Sequence, residues 1–188
     1  MCLMAERLID EAVYLGRAEC ALKEGHPEAA LSLSNEVLRA NPLSVGALRI
    51  IEASWRGRQP SRLRRSLVQP WLALMGRIHG GMPHKRLLLA QRFLAAGVSD
   101  ACVYQSLAES SCVLEAWPVA RFAYEALVKK MPDSQDCSLE LARVCLVLGD
   151  LQSALAWADH ILAQAPAHLE AQALAREAAV RQAMEHTA

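Results

Sequence analysis

The 188-residue sequence has few of the patterns that mark membrane, secreted or disulfide-rich proteins. No apolar run approaches the ~18 residues that cross a bilayer, and the stretch from Met1 to Asp10 lacks the basic and then apolar order of a secretory signal. The six cysteines include no Cys-x-x-Cys pair, as is typical of thiols that act as small hydrophobic side chains in a reducing compartment. We therefore expect no membrane insertion and a cytoplasmic location.

Motifs of catalysis and metal binding are also missing. The sequence has no glycine-rich phosphate loop, no H-E-x-x-H pair and no G-x-S-x-G turn. His79 and His84 flank a loop, but no Cys, Asp or Glu lies at ligand spacing from them. Cys137 and Cys145 have only Arg143 as a basic neighbour that could activate a thiol. We predict that the protein is not an enzyme, binds no metal and needs no cofactor.

Glycine and proline are sparse as well, with 9 Gly and 8 Pro. Runs of β-branched residues with period-two alternation, which would predict strands, are missing. The rest is dominated by Ala, Leu, Glu and Arg, which are strong helix formers. The 53% of apolar residues, beside 21% of charged residues, suffices to bury a sizeable core. The composition predicts an all-α protein.

Three stretches of the chain fall into one 34-residue frame, namely 11–44, 101–134 and 135–168. In each copy the same small residues and the same proline return at the same positions. Alanine fills position 8 (Ala18, Ala108, Ala142) and position 20 (Ala30, Ala120, Ala154), and proline fills position 32 (Pro42, Pro132, Pro166). A period of this length is typical of stacked helical hairpins, each of which buries its apolar side only against a neighbour.

Turn residues divide each frame into two helices. In the first frame, a helix from about Ala5 ends at Gly25, because glycine accepts the left-handed conformation that closes a helix. A second helix begins at Pro27, where a missing N–H is harmless, and ends at Asn41-Pro42.

The other two frames follow the same plan with different turns. The last frame turns at Gly149-Asp150, whereas the 101–134 frame turns between Glu115 and Pro118. One more amphipathic helix follows, from about Leu169 to Met184, and the polar residues on one of its sides suit a cap at the end of a stack.

Two of these turns and two of the helix ends resemble the tetratricopeptide repeat. The segments are Gly25-His26-Pro27-Glu28-Ala29-Ala30-Leu31, Gly149-Asp150-Leu151-Gln152-Ser153-Ala154-Leu155, Asn41-Pro42 and Ala165-Pro166. The resemblance implies a right-handed α-α solenoid that forms a single domain over residues 1–188, with a capping helix over 169–186. The family's aromatic at position 4 is kept as Tyr14 and Tyr104 but is Ser138 in the last copy.

The middle of the chain, residues 45–100, is a degenerate part of the repeat and has two interpretations. In the first, 67–100 is a full frame and 45–66 is a truncated unit with helices near 45–56 and 61–68. In the second, one helix runs from Ser61 to Ile78, bent or broken before Pro70, and a separate helix runs from Pro83 to Ala96. Both preserve alternating antiparallel helices, and the pattern does not decide between them.

The zero net charge conceals an uneven distribution. Residues 45–100 contain ten Lys or Arg and two acidic residues, a net charge of +8, whereas 1–44 and 101–188 carry −3 and −5. The most basic stretch holds Arg56, Arg58, Arg62, Arg64 and Arg65. This basic patch could meet an acidic protein, a nucleic acid or the acidic end of a second copy, or it could be a solvated surface. Nucleic acid is the least favoured, because no surface aromatics are interleaved with the arginines.

Positions 2, 5, 9 and 12 of each unit share one face of its first helix, since they are three or four residues apart. Resemblance to the family assigns this face to a concave groove that binds a peptide. The groove would hold Leu15, Glu19, Leu22, Cys102, Gln105, Glu109, Cys112, Asp136, Leu139, Arg143 and Leu146. The apolar members, such as Leu22, Cys112 and Leu146, could belong to the groove or pack between units. The Lys, Asn and Arg set with which some family members grip a chaperone's C-terminal carboxylate is absent.

Together these features predict a protein-binding scaffold or adaptor that serves as an assembly factor within a multiprotein complex. A bacterial secretion or pilus-type chaperone is an alternative, since small tetratricopeptide-like proteins serve in those systems. An RNA- or ribonucleoprotein-associated module that uses the basic patch is a second alternative, from another class. Self-association through the exposed ends of the stack is also consistent with the sequence.

Overall fold

The computed structural model describes residues 10–56, 58 and 82–187 of the chain. Every regular element in that part is a helix, which confirms the all-α prediction there. The helices are α1 (Glu11–Lys23), α2 (Pro27–Ala40), α3 (Val45–Ser54), α4 (Pro83–Ala95), α5 (Ala101–Val113), α6 (Trp117–Lys130), α7 (Gln135–Val147), α8 (Leu151–Gln164) and α9 (Leu169–Thr187).

The helix ends follow local capping chemistry. Proline is the first residue of α2 at Pro27, as predicted, and the extended backbone of Asn41 ends that helix. The first predicted helix, from about Ala5, would include Asp10, but Asp10 is not helical. Its backbone is extended, and its carboxylate accepts a hydrogen bond from the Val13 N–H. An acceptor at this position satisfies one of the first free N–H groups of a helix, so α1 begins at Glu11. Residues 1–9 lie outside the described part.

The three predicted hairpins share one turn. α1 and α2, α5 and α6, and α7 and α8 are each joined through a residue with a left-handed backbone, namely Gly25 (φ 82°), Glu115 (φ 55°) and Gly149 (φ 76°). The N–H of the next residue then bonds to a carbonyl five residues back, at 2.8 to 2.9 Å in all three turns. The 101–134 frame therefore closes in the same way as the others, although it lacks the glycine.

α4 ends differently from the second helix of a clear repeat. Gly97, with φ 83°, closes it, and the Val98 N–H bonds to the Phe93 carbonyl at 2.9 Å. A Cβ on Gly97 would lie 2.7 Å from the Trp55 indole, so this glycine also allows a close approach. α3 and α4 agree with both interpretations of the middle. The residues that would distinguish them, 61–78, lie outside the described part.

Neighbouring helices pack in chain order, as expected for a stack of hairpins. α1 packs on α2 and α3, α2 on α3, and an unbroken series runs from α4 to α9, in which α9 also contacts α7. The alanines at positions 8 and 20 are buried, with exposed fractions of 0 to 2%. Because alanine has the smallest side chain with a Cβ, the paired helices approach closely at these points. One large core runs along the stack and includes Tyr104, Leu107, Leu127 and Leu141.

The last helix covers the end of the stack but is not polar throughout its outer side. Ala171 and Ala178 are buried where α9 meets its neighbours. Leu169, Val180 and Met184 are exposed by 78%, 54% and 64%. The predicted polar outer face is therefore interrupted by three large apolar side chains.

Candidate binding face

The polar residues at positions 2, 5 and 9 of the first helices remain on the surface. Glu19 on α1, Gln105 and Glu109 on α5, and Asp136 and Arg143 on α7 are all exposed. We call these five residues the A face, after the first helix of each hairpin. Regular helix geometry places residues with this spacing on one side of each helix.

Glu109 is held in place by two partners. One of its carboxylate oxygens pairs with the Arg86 guanidinium of α4 at 2.7 Å, and the other accepts a hydrogen bond from the Gln105 amide at 3.0 Å. Arg86 and Glu109 keep 27% and 45% of their side chains exposed, so water screens this ion pair. The two contacts orient the carboxylate and leave it accessible.

Arg143 stands at the same repeat position as Glu109 but carries the opposite charge. Its guanidinium pairs with Glu140 on its own helix at 2.9 Å and with Glu170 on α9 at 2.7 Å. The Arg143 side chain is still 44% exposed. A planar guanidinium has five N–H donors, so two surface ion pairs leave donors for a third group.

Two apolar residues predicted for the groove lie in the core. Leu139 and Leu146 are each 6% exposed. Leu139 packs with Ile161 and Ala171, because α8 and α9 cover that side of α7. Leu146 belongs to the large core along the stack. Both side chains therefore pack inside the protein, as the alternative stated for Leu146 allowed.

The remaining apolar candidates are half-buried and pack between helices. Leu15 lies where a Cβ on Gly46 of α3 would meet its methyl group at 2.8 Å, and Leu22 packs on the small cluster of Ala18, Ala30 and Ile50. Cys102 and Cys112 pack against the large core, and burial raises the pKa of both thiols. The apolar residues predicted for the groove are thus largely used inside the protein, and the predicted residues that stay exposed are polar.

A family model described as the CABIN1 N-terminal domain matches residues 88–185. The chain belongs to this CABIN1 N-terminal domain family. The matched residues include most of α4 and all of α5 to α8, with four of the five A-face residues. Because the match begins at residue 88, the grouping of all 188 residues into one domain stays a prediction.

Two solved structures are similar to this CABIN1 N-terminal domain family member at low identity. The MamA protein is 14% identical over 90% of this chain and 86% of that chain, with a TM-score of 0.45. TTC0263, a thermophilic TPR protein in Thermus thermophilus, is 18% identical over 90% of this chain and 99% of that chain, with a TM-score of 0.40. Among curated proteins the sequence has no match. The fold stated above rests on the helices of this chain.

The basic patch lies before the residues that match the CABIN1 N-terminal domain, and only part of it is described. Arg56 is exposed, and Arg58 pairs with Glu28 of α2 at 2.6 Å. Arg62, Arg64 and Arg65 lie outside the described part. Arg56 lines a cavity of about 270 Å³ together with Lys129 and Glu52, whose carboxylate accepts the Tyr104 hydroxyl at 2.9 Å.

Residues 10–56, 58 and 82–187 contain neither a metal-binding cluster nor a membrane-spanning helix. No three side chains of His, Cys, Asp or Glu come close enough there to hold a metal ion. In the same ranges, no helix has the length and apolar character needed to cross a membrane.

Sequence reasoning missed the residues that orient the A face. Arg86 and Glu170 belong to α4 and α9, which the repeat signature does not reach. One signal for Glu170 existed: extending the 34-residue frame past residue 168 places Glu170 at position 2 and Glu177 at position 9. Both are exposed, so the face continues onto the last helix. For Arg86 the sequence held no such signal.

Proposed function

We propose that the protein is a non-enzymatic scaffold that binds a partner polypeptide along the A face and acts as an assembly factor within a multiprotein complex. The observation that carries the proposal is the pair Glu109 and Arg143. They occupy the same repeat position on α5 and α7, have opposite charges, and are each oriented by an ion pair from a neighbouring helix. A stack of helices presents such positions at regular intervals, as suits an extended ligand. A cytoplasmic location and the absence of a cofactor are part of the proposal.

The polar character of the A face defines the partner segment. Leu139 and Leu146 are buried, so contacts with charged and amide groups take the place of the predicted apolar anchors. A segment with a basic residue opposite Glu109 and an acidic residue opposite Arg143 would match this arrangement. Such contacts favour specificity and association rate more than raw affinity. We therefore expect a partner of moderate affinity whose binding weakens with salt.

The test compares proteins retained from native cells by three forms of the full chain. The face variant combines Glu109→Lys and Arg143→Glu. The control variant combines Asp159→Lys and Arg176→Glu, two exposed residues that are not among the five A-face residues and that undergo the same pair of charge reversals. Both variants should fold. The ion pairs that the face variant removes are surface pairs that contribute at most about 1 kcal/mol each, and Asp159 and Arg176 are exposed.

We expect at least one protein to be retained by the wild-type chain and the control variant and to be lost with the face variant. If that protein belongs to a larger assembly, the face variant should also lose the other members of the assembly. Retention of the same set by all three forms, each with the same helical circular dichroism spectrum, would show that the A face does not recognise a partner.

A further inference from the structure

A cleft between α2 and α4 has the features of a second binding site. It has a volume of about 540 Å³, within the range of about 300–1,000 Å³ that is usual for ligand pockets. Asn35, Leu38 and Arg39 of α2 line one wall, and Leu88, Gln91 and Arg92 of α4 line the other. None of these residues belongs to the A face or to the basic patch.

A part-buried hydrogen bond links the α4 wall to the loop that follows α2. The Gln91 side chain is 4% exposed, and its amide donates to the Pro42 carbonyl in the loop that follows α2. That loop is held in turn by Asn41, whose amide donates to Glu11 at 2.8 Å and whose side-chain oxygen accepts the Leu43 N–H at 3.1 Å. A preformed cleft reduces the ordering entropy that a ligand must overcome on binding.

The charges of the cleft have one sign. Arg39 and Arg92 stand on opposite walls, both are exposed, and neither guanidinium has an ion pair with another residue of the described part of the chain. No acidic residue lines the cleft, and α4 contains none at all. Glu36 is the nearest acidic residue along α2 and is not part of the lining. Exposed guanidinium groups without an ion-pair partner are suited to bind carboxylates, through two parallel hydrogen bonds each.

Part of the lining is apolar. Leu38 is 7% exposed, and Leu88 is 41% exposed although it is a large hydrophobic residue on a helix surface. A cleft with one arginine on each wall and apolar residues in its lining fits a peptide in which an apolar side chain is flanked by carboxylates. We propose that the α2–α4 cleft binds an acidic segment of another polypeptide.

Other occupants match the cleft less well. Residues 59–81 of the chain carry four arginines and no acidic residue, so their charge does not complement Arg39 and Arg92. The lining residues include no aromatic side chain on which a nucleic acid base could stack. The last part of the chain, 101–188, has a net charge of −5, so a second copy is an occupant that the test must distinguish.

The test uses the full chain and a short fluorescein-labelled peptide with a central leucine flanked by glutamates. A peptide with lysines in place of the glutamates is the ligand control. The cleft variant combines Arg39→Glu and Arg92→Glu. The matched control combines Arg49→Glu and Arg176→Glu, which change the net charge equally at exposed positions on α3 and α9. Circular dichroism verifies that each variant is folded.

We expect fluorescence anisotropy to detect binding of the acidic peptide and weaker binding of the basic one. The cleft variant should lose at least about tenfold in affinity, because two charge-assisted contacts become repulsive. The matched control should stay within about twofold of wild type. The variant with Glu109→Lys and Arg143→Glu should bind the acidic peptide as wild type does, so this result is independent of the function proposed for the A face.

Three results would overturn the proposal. The first is an equal loss of binding in the cleft variant and the matched control, since general electrostatic attraction would then account for it. The second is tighter binding of a single-stranded oligonucleotide than of the acidic peptide, together with sensitivity to Arg39→Glu and Arg92→Glu, which would assign the cleft to a phosphate polymer. The third is self-association of the wild-type chain in light scattering that the cleft variant abolishes, which would assign the cleft to a second copy.

Discussion

At the scale of the residue, the turn inside each hairpin depends on one left-handed backbone position. Glycine occupies it in two hairpins, as Gly25 and Gly149, and glutamate occupies it in the third, as Glu115. A residue with a Cβ is strained in this conformation, whereas glycine adopts it readily. Because the hydrogen bonds of the three turns are alike, the hairpin at Glu115 forms in spite of this strain.

We therefore predict that Glu115→Gly stabilises the protein. Relief of the backbone strain, less the greater entropy of glycine in the unfolded chain, should raise the free energy of unfolding by about 0.5–1 kcal/mol. Urea unfolding followed by circular dichroism measures this change.

The reciprocal change is Gly149→Ala. A Cβ at Gly149 would meet nothing within 4 Å, so any loss of stability comes from the backbone and not from crowding. We expect a loss of about 1 kcal/mol. If Glu115→Gly lowers the stability, or Gly149→Ala leaves it unchanged, the left-handed position does not control the turn.

At the scale of the element, alanine sets the distance between the paired helices. Ala142 on α7 and Ala154 on α8 have exposed fractions of 0% and 2%. Alanine is the smallest residue that a helix can carry without being weakened. Closely packed helices leave no volume for additional methyl groups at such points. The repeat signature in the sequence is therefore a packing requirement between helices.

Two substitutions on the same helix test this requirement. Ala154→Leu places a large side chain in the contact between α7 and α8 and should lower the free energy of unfolding by about 1–3 kcal/mol. Ala156→Leu places it on the exposed side of α8 and should change the stability by no more than about 0.5 kcal/mol. Alanine and leucine have similar helix propensities, so the difference between the variants measures packing alone. Equal urea midpoints for the two variants would contradict this role of alanine.

At the scale of the whole molecule, turn residues in the sequence predicted the helix ends better than the repeat spacing predicted the residues of the binding face. Pro27 and Gly149 act within a few residues of their own position, so the sequence alone indicates where α2 begins and α7 ends. The burial of Leu139 depends on α9, which follows it in the chain and covers it from outside. Arg39 and Arg92 likewise line one cleft, although they are far apart in the sequence and do not share a repeat position. The period of a repeat does not predict contacts between distant segments. The uneven charge of the sequence indicated that the middle of the chain is basic, but not which residues meet there.

Several ionisable side chains inside the stack have raised pKa values. Burial raises the pKa of the thiols of Cys102, Cys112 and Cys145 above their ordinary value of 9.0. Burial also raises the pKa of the phenols of Tyr104 and Tyr124 above 10.0, and for Tyr104 the nearby Glu52 carboxylate adds to the effect. These groups occupy α5, α6 and α7, so they report on the centre of the stack.

We predict that the free energy of unfolding falls as the pH rises from about 8 to about 10. A group whose pKa is raised in the folded state keeps its proton there and releases it on unfolding. Its stabilisation is complete below the pKa of the unfolded chain and is lost as the pH rises toward the pKa of the folded state. Each proton released on unfolding lowers the free energy of unfolding by about 1.4 kcal/mol per pH unit.

Urea unfolding at the two pH values measures the change. A variant with Tyr104→Phe and Tyr124→Phe keeps the thiols and should lose less stability between the same two pH values. A free energy of unfolding that is constant or increases over this range would mean that these side chains titrate freely in the folded protein.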